Sequence, residues 1–285
     1  MSALRKQMQA DMAVRGLAPR TQKAYIDAVA AIAHHYHRSP DTLSIAEIEQ
    51  YLHHLITERQ RSWSTTNQAV CALRFLFHVT LKRPEVALAI PMRRTGSKQP
   101  EILSRDEIAS ILNAARLLMH RTFLMTAYAA GLRVGEACHL RCADIDAQRM
   151  MLRVVSGKGG KDRYTLLSAP LLAQLRLYWK VTRPASWLFP KPSRPDQPLD
   201  ICTAQRIFYR CKRTAGIAKQ GGIHSLRHAF ATHLLESGVD LHTICRLLGH
   251  SDISTTTRYL HLKQADLTQS GSPLNLLEQV GIAPR

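Results

Sequence analysis

The stretch HSLRHAFATH, residues 224–233, puts three histidines and an arginine within ten positions that read as helix. Such a set can hold a metal, pack into a core or grip an anion, and its spacing alone permits all three. On a helical wheel Leu226, Phe230 and Leu234 build an apolar stripe, which Ala231 and Leu235 widen. Arg227 falls inside that arc, and His224, three residues earlier, lies beside it. A guanidinium in an apolar arc must snorkel or find a partner, because an unpaired buried charge is strongly destabilising. An Asp or Glu elsewhere in the chain answers that need as well as an external anion does.

Other stretches offer further reactive side chains. In AYAAGLRVGEACHL an apolar helix stops at Gly131, and Arg133 precedes a second, short helix. Arg133 is thereby set on a bend near a helix N-terminus, where anions are favoured, although Glu136 stands within i,i+3 reach as an internal partner. Lys158 sits in the glycine-rich turn GKGGKD, as a solvated turn lysine or as one that swings towards a ligand. His250 follows the helix-ending Gly249, and Tyr259 falls on a short helix beginning near Ser251 to Ile253, where a surface or core role is equally open.

The elements that must position these residues follow from periodicity and punctuation. Amphipathic segments near 2–14, 19–37, 44–60 and 64–81 predict a four-helix N-terminal domain over 1–90, with a capping box at Ser44 and Glu47. PMRRTGSKQPEIL, 91–103, reads as an exposed basic linker. Ser104 and Glu107 then form a second capping box, which opens a larger domain, 104–285. Within it MMLRVV, 150–155, and RYTLL, 163–167, flank GKGGKD as a β-hairpin, and PKPSRPDQP, 190–198, reads as a proline-rich loop. Helices dominate elsewhere, so the fold class is mainly α with a small antiparallel sheet in the C-terminal domain. A tail helix is expected after Ser272-Pro273, with Leu274, Leu277 and Val280 on one stripe.

Composition narrows the partners. With 39 Lys plus Arg against 21 Asp plus Glu the chain carries a formal charge of +18, which favours a polyanion, most simply nucleic acid. Basic residues outnumber acidic ones in both domains and in the linker, an arrangement suited to a clamp around a duplex. No apolar run approaches the roughly 18 residues of a membrane span, and the N-terminus lacks a signal-peptide core. The six cysteines show no paired CxxC spacing, so reduced thiols in the cytoplasm are expected rather than disulfides or structural zinc.

Taken in order, GLRVGE, GKGGKDR, HSLRHAFATHLLESGVDLHTICRLLGH and TTTRYLHL resemble the tyrosine recombinase (phage integrase) family across residues 101–262, with the Xer-type and transposon-associated members most similar in size. The four-helix domain matches the family's core-binding domain in layout. The resemblance implies Tyr259 as nucleophile, Arg133 and Arg227 on the phosphate, Lys158 as general acid, His224 as base and His250 as a hydrogen-bond donor. It implies a 3′-phosphotyrosine intermediate on double-stranded DNA, needing no metal or other cofactor. It further implies a tetramer on DNA, of this chain alone or shared with a related recombinase, in which the tail helix docks on a neighbour.

The residue types suit that chemistry. Charge builds on the non-bridging oxygens as phosphorus gains an oxygen, and fixed arginines neutralise it. A tyrosine hydroxyl, with an ordinary pKa of about 10, needs cations around it or a base to give up its proton. Three rivals are a type IB topoisomerase-like activity, a non-catalytic DNA-binding protein on the same fold, and a zinc hydrolase built on His224, His228 and His233. The last lacks HExxH, and the wheel turns His233 away from the other two.

Overall fold

A computed structural model of the chain describes residues 2–90, 101–155 and 162–249. Most of the expected linker, the hairpin tip with Lys158, and everything from His250 onward, including Tyr259 and the tail helix, lie outside the described residues. The chain divides into two compact units, 1–98 and 99–285.

The first unit is helical: α1 (Ala3–Val14), α2 (Pro19–Tyr36), α3 (Ile45–Thr57), α4 (Trp63–Phe75) and α5 (Pro84–Ala89). Side chains start three of them. Ser2 accepts from the Arg5 amide, Ser62 from the Thr65 amide, and Ser44 and Glu47 close a reciprocal capping box. The apolar faces meet in one core built from Met8, Met12, Ile32, Ile48, Leu73 and Phe77. Two features depart from the simple four-helix reading. The last helix ends at Phe75 and continues as a π-helical stretch, Leu76–Thr80. The short α5 then follows, tied back where the Arg74 guanidinium donates to the Ile90 carbonyl (Nε to O, 3.0 Å). Its six residues are too few to show a period, which hides it from sequence reasoning.

The second unit begins at the Ser104–Glu107 capping box with α6 (Arg105–Ala114), followed by α7 (Leu118–Ala129) and the short α8 (Val134–Cys138). Strands β1 (Ile145–Asp146), β2 (Met151–Val154) and β3 (Arg163–Leu166) form an antiparallel sheet in that order, with Leu152 opposite Thr165 and Val154 opposite Arg163. Beyond α9 (Ala169–Thr182), the segment read as a proline-rich loop is instead a two-stranded sheet, β4 (Pro190–Lys191) with β5 (Arg194–Pro198). Both strands are edges, so a proline can sit where no amide is needed by the partner, and the usual argument against a strand fails. Helices α10 (Ile201–Thr214), α11 (His224–Glu236) and α12 (Leu241–Leu248) complete the unit.

The fold is therefore mainly helical with small antiparallel sheets. Helix α11 is its central element: Leu226 and Ala229 join the main core, while Phe230, Ala231 and Leu235 pack with Ile244 and Leu248 of α12. Burial on most sides forces its polar residues inward too. His233 lies 2.8 Å from the Tyr128 hydroxyl, holding α11 to α7. Among the described residues, no helix is long and apolar enough to cross a membrane.

Candidate active site

Helix α7 gives way, past its cap residue Ala130, to Gly131, whose φ of +58° is open to glycine at little cost. A Cβ there would stand 2.4 Å from the Phe230 ring, so the turn also sits flush against α11. The chain then turns extended through Arg133 and enters α8. Here the expected opening for an external anion at the helix N-terminus is already taken. Glu136 folds back onto it, accepting the Arg133 amide at 2.8 Å and the Arg133 guanidinium at 2.7 Å.

Glu136 is a hub that sequence reasoning saw only as a partner for Arg133. The Arg163 guanidinium, at the start of β3, donates to both carboxylate oxygens, at 2.8 and 2.7 Å. The Arg227 guanidinium stands 3.8 Å away. Arg227 itself is 4% exposed and donates to the Gly131 carbonyl and the Leu248 carbonyl, each at 2.6 Å. Both of its answers to burial are thus realised inside the protein: backbone carbonyls at bonding distance, and a carboxylate nearby.

Three successive carbonyls at the end of α12 complete the arrangement. Leu247 receives the Arg163 Nε at 3.0 Å, Leu248 receives Arg227, and Gly249 receives Arg133 at 3.4 Å. These are among the carbonyls a helix end leaves without intrahelical partners. Gly249 itself has φ +62°, and a Cβ on it would lie 2.6 Å from the Arg163 Cδ.

The electrostatics follow from the count of charges. Three guanidinium groups surround one carboxylate, leaving an excess of positive charge. Burial pulls the Glu136 pKa upward, but hydrogen bonds and charge from Arg163, followed by hydrogen bonds from Arg133, outweigh it and hold the group at about 2. His224 opens α11 with an exposed edge. Desolvation of its imidazole, then the Arg227 and Arg133 charges, push its pKa below the ordinary histidine value against the pull of Glu136. A neutral imidazole beside fixed cations is able to accept a proton.

A pH dependence follows for the fold. The folded-state pKa of Glu136 lies below its ordinary 4.5. Its stabilising contribution is therefore complete above about pH 4.5 and is lost as pH falls towards 2. Urea midpoints of the chain and of Glu136→Gln, measured across that window, should differ by a constant amount at neutral pH. The gap should close as the carboxyl protonates; a gap independent of pH would contradict the assignment.

Of the six site residues expected from sequence, the structure brings Arg133, His224 and Arg227 together. Lys158, His250 and Tyr259 lie outside the described residues, although Gly249 leads directly into His250. Sequence reasoning missed Arg163 and the central place of Glu136. The signal for Arg163 is the alternation of RYTLL. Its inward face carries Arg163, Thr165 and Leu167, while Tyr164 and Leu166 are exposed, the reverse of what polarity suggests for the first four. No group of three or more His, Cys, Asp or Glu among the described residues is arranged to hold a metal ion, so His224, His228 and His233 do not form the ligand set of the zinc rival.

Residues 101–266 match the phage integrase family. The chain belongs to that family. Its tyrosine recombinases are enzymes that cleave and rejoin DNA strands, and residues 4–85 match the N-terminal SAM-like domain found with phage integrases. A putative integrase/recombinase of Sinorhizobium fredii is 41% identical over 285 residues, covering 100% of this chain and 92% of that protein. An integrase/recombinase of Escherichia coli is 34% identical over 304 residues, covering 90% and 89%. Among solved structures, XerA recombinase aligns over 99% of both chains at 26% identity with a TM-score of 0.55. A lambda integrase tetramer bound to a Holliday junction aligns with a TM-score of 0.75 over 90% of this chain and 76% of that one, at 20% identity, a likeness of fold. This phage integrase family member is thus a site-specific tyrosine recombinase.

Proposed function

We propose that the chain cuts duplex DNA by attack of Tyr259 on a phosphodiester gripped by Arg133 and Arg227. The tyrosine oxygen bonds to phosphorus as the bond to the 5′ oxygen breaks, leaving a 3′-phosphotyrosine and a free 5′-hydroxyl. His224 takes the tyrosine proton, Lys158 gives one to the departing oxygen, and His250 hydrogen-bonds the phosphate. A 5′-hydroxyl from a partner strand then reverses the step, so the energy of the broken bond is conserved and no cofactor enters. The helical domain, 1–90, acts as the core-binding domain, the basic linker 91–103 joins it to the second domain, and 104–285 carries the chemistry. Strand exchange runs through a Holliday junction in a tetramer, of this chain alone or with a related recombinase, inside the cytoplasm.

The observation that carries this reading is the excess of guanidinium charge around Glu136, with His224 beside it and its pKa held below the ordinary histidine value by burial and the neighbouring arginines. Donors already fixed in place, in a site poor in water, are what a phosphoryl transition state requires. The test is a library of random-sequence duplexes carrying single nicks, so that the short 5′-hydroxyl fragment diffuses away after cleavage. Protein attached to DNA after denaturation is recovered and the attached DNA sequenced. Adducts enriched in a recurring sequence are expected; retention of DNA with no denaturation-resistant adduct would reduce the chain to a DNA-binding protein.

A further inference from the structure

We propose that Arg163 is a positioning residue: by saturating Glu136 it keeps that carboxylate from capturing the arginines that must hold the phosphate. The inference rests on the reading of Arg133 and Arg227 as phosphate ligands. A carboxylate offers about four lone-pair sites. On Glu136 four are used: Oε1 accepts from the Arg133 and Arg163 guanidinium groups, and Oε2 from the Arg133 amide and Arg163. Arg227 is left outside at 3.8 Å, too long for a hydrogen bond.

The Arg163 side chain is 10% exposed and that of Glu136 is 8% exposed, so water is a poor substitute for either partner. Removing Arg163 opens two acceptor sites on a buried carboxylate. Among the described residues, the cations already paired with Glu136 besides Arg163 are Arg133 and Arg227, which can fill them. Each bond they make to Glu136 is one withheld from a phosphate oxygen. Arg163 also donates to the Leu247 carbonyl and packs its Cδ where a side chain on Gly249 would stand, so it fixes the end of α12 against the same group. A fold-stabilising ion pair would share this geometry, but leaving Glu136 short of a partner would then cost stability rather than slow the chemical step in the folded chain.

That difference is measurable. The rate of covalent adduct formation is read in a single turnover at saturating DNA, with DNA affinity measured in parallel, on full-length chains. Arg163→Met should form adducts about 10–100-fold more slowly, on the scale of losing part of a preorganised donor set, with affinity changed far less. Adding Glu136→Gln to Arg163→Met should raise the rate above that of Arg163→Met, towards Glu136→Gln alone. A double variant as slow as Arg163→Met, or slower, overturns the proposal; so does a recovery of rate that merely tracks recovered stability in urea unfolding of the same four chains, because a buried ion pair that only holds the fold also couples.

Arg163→Lys keeps the charge with a less complete hold on the two oxygens. Should the Met variant not fold, the same comparison runs with Lys, and the added Glu136→Gln must again raise the rate. If the unaltered chain forms no adduct, the proposed function fails and takes this inference with it. Adducts from the unaltered chain without suppression remove the inference alone.

Discussion

Tyr259→Phe should bind duplex DNA with the affinity of the unaltered chain and form no covalent adduct with it. The substitution removes one oxygen and leaves the ring, so contacts that hold DNA by charge are untouched. Affinity on such surfaces comes mainly from Lys and Arg on phosphates. Cleavage, by contrast, has no route without a nucleophile whose oxygen can bond to phosphorus. The effect therefore exceeds the loss of about 10²–10³ in rate seen when one stabilising donor is removed. A labelled nicked duplex, resolved under denaturing conditions, reads adducts directly, and a native gel reads binding. Adducts persisting in this variant would move the nucleophile elsewhere, with the exposed Tyr164 and Tyr209 the first to substitute.

The second large effect belongs to Arg227, and it has two parts. Arg227→Ala strips partners from the Gly131 and Leu248 carbonyls in a site with 4% exposure, and takes one of three cations from around Glu136. Breaking a buried charged group away from its partners costs about 3–5 kcal/mol, a large share of the roughly 5–15 kcal/mol that hold a typical domain. Stability measured by urea unfolding should fall accordingly, and adduct formation should fall by about 10²–10³ or more. Arg227→Lys separates the parts. It restores a charge, so much of the stability should return. A single ammonium cannot span two carbonyls and a phosphate as a planar fork does, so the rate should remain low. Recovery of full cleavage by lysine would show that charge alone suffices at this position.

These contacts also show which parts of the molecule sequence can reveal. The capping boxes at Ser44 and Ser104 are local, since donor and acceptor lie three residues apart, and both helices start where expected. The helical period of α11 is enough by itself to place Arg227 among apolar residues. What fills the guanidinium's fork is another matter. Gly131 and Leu248 are 96 and 21 residues away from it, and no periodicity reports a pairing across such distances. Arg163 is hidden for the same reason, its carboxylate lying 27 residues back. The β4–β5 pair escaped because its prolines argue against strands everywhere except at an edge. The helical wheel sets His224 beside Arg227, but that Arg133 joins them was legible only through the family resemblance, since Arg133 lies more than ninety residues before α11.

The arginines that cap α12 have a consequence for anyone who would redesign this protein. Leu247, Leu248 and Gly249 take their caps from three different elements, β3, α11 and the bend before α8. A chimera that borrows α12 from one relative and α8 from another would inherit caps cut for a different helix end. Exchange of segments will succeed when these pieces travel together, so the unit of inheritance here is the whole ring of contacts, although the chain spreads it over more than a hundred residues.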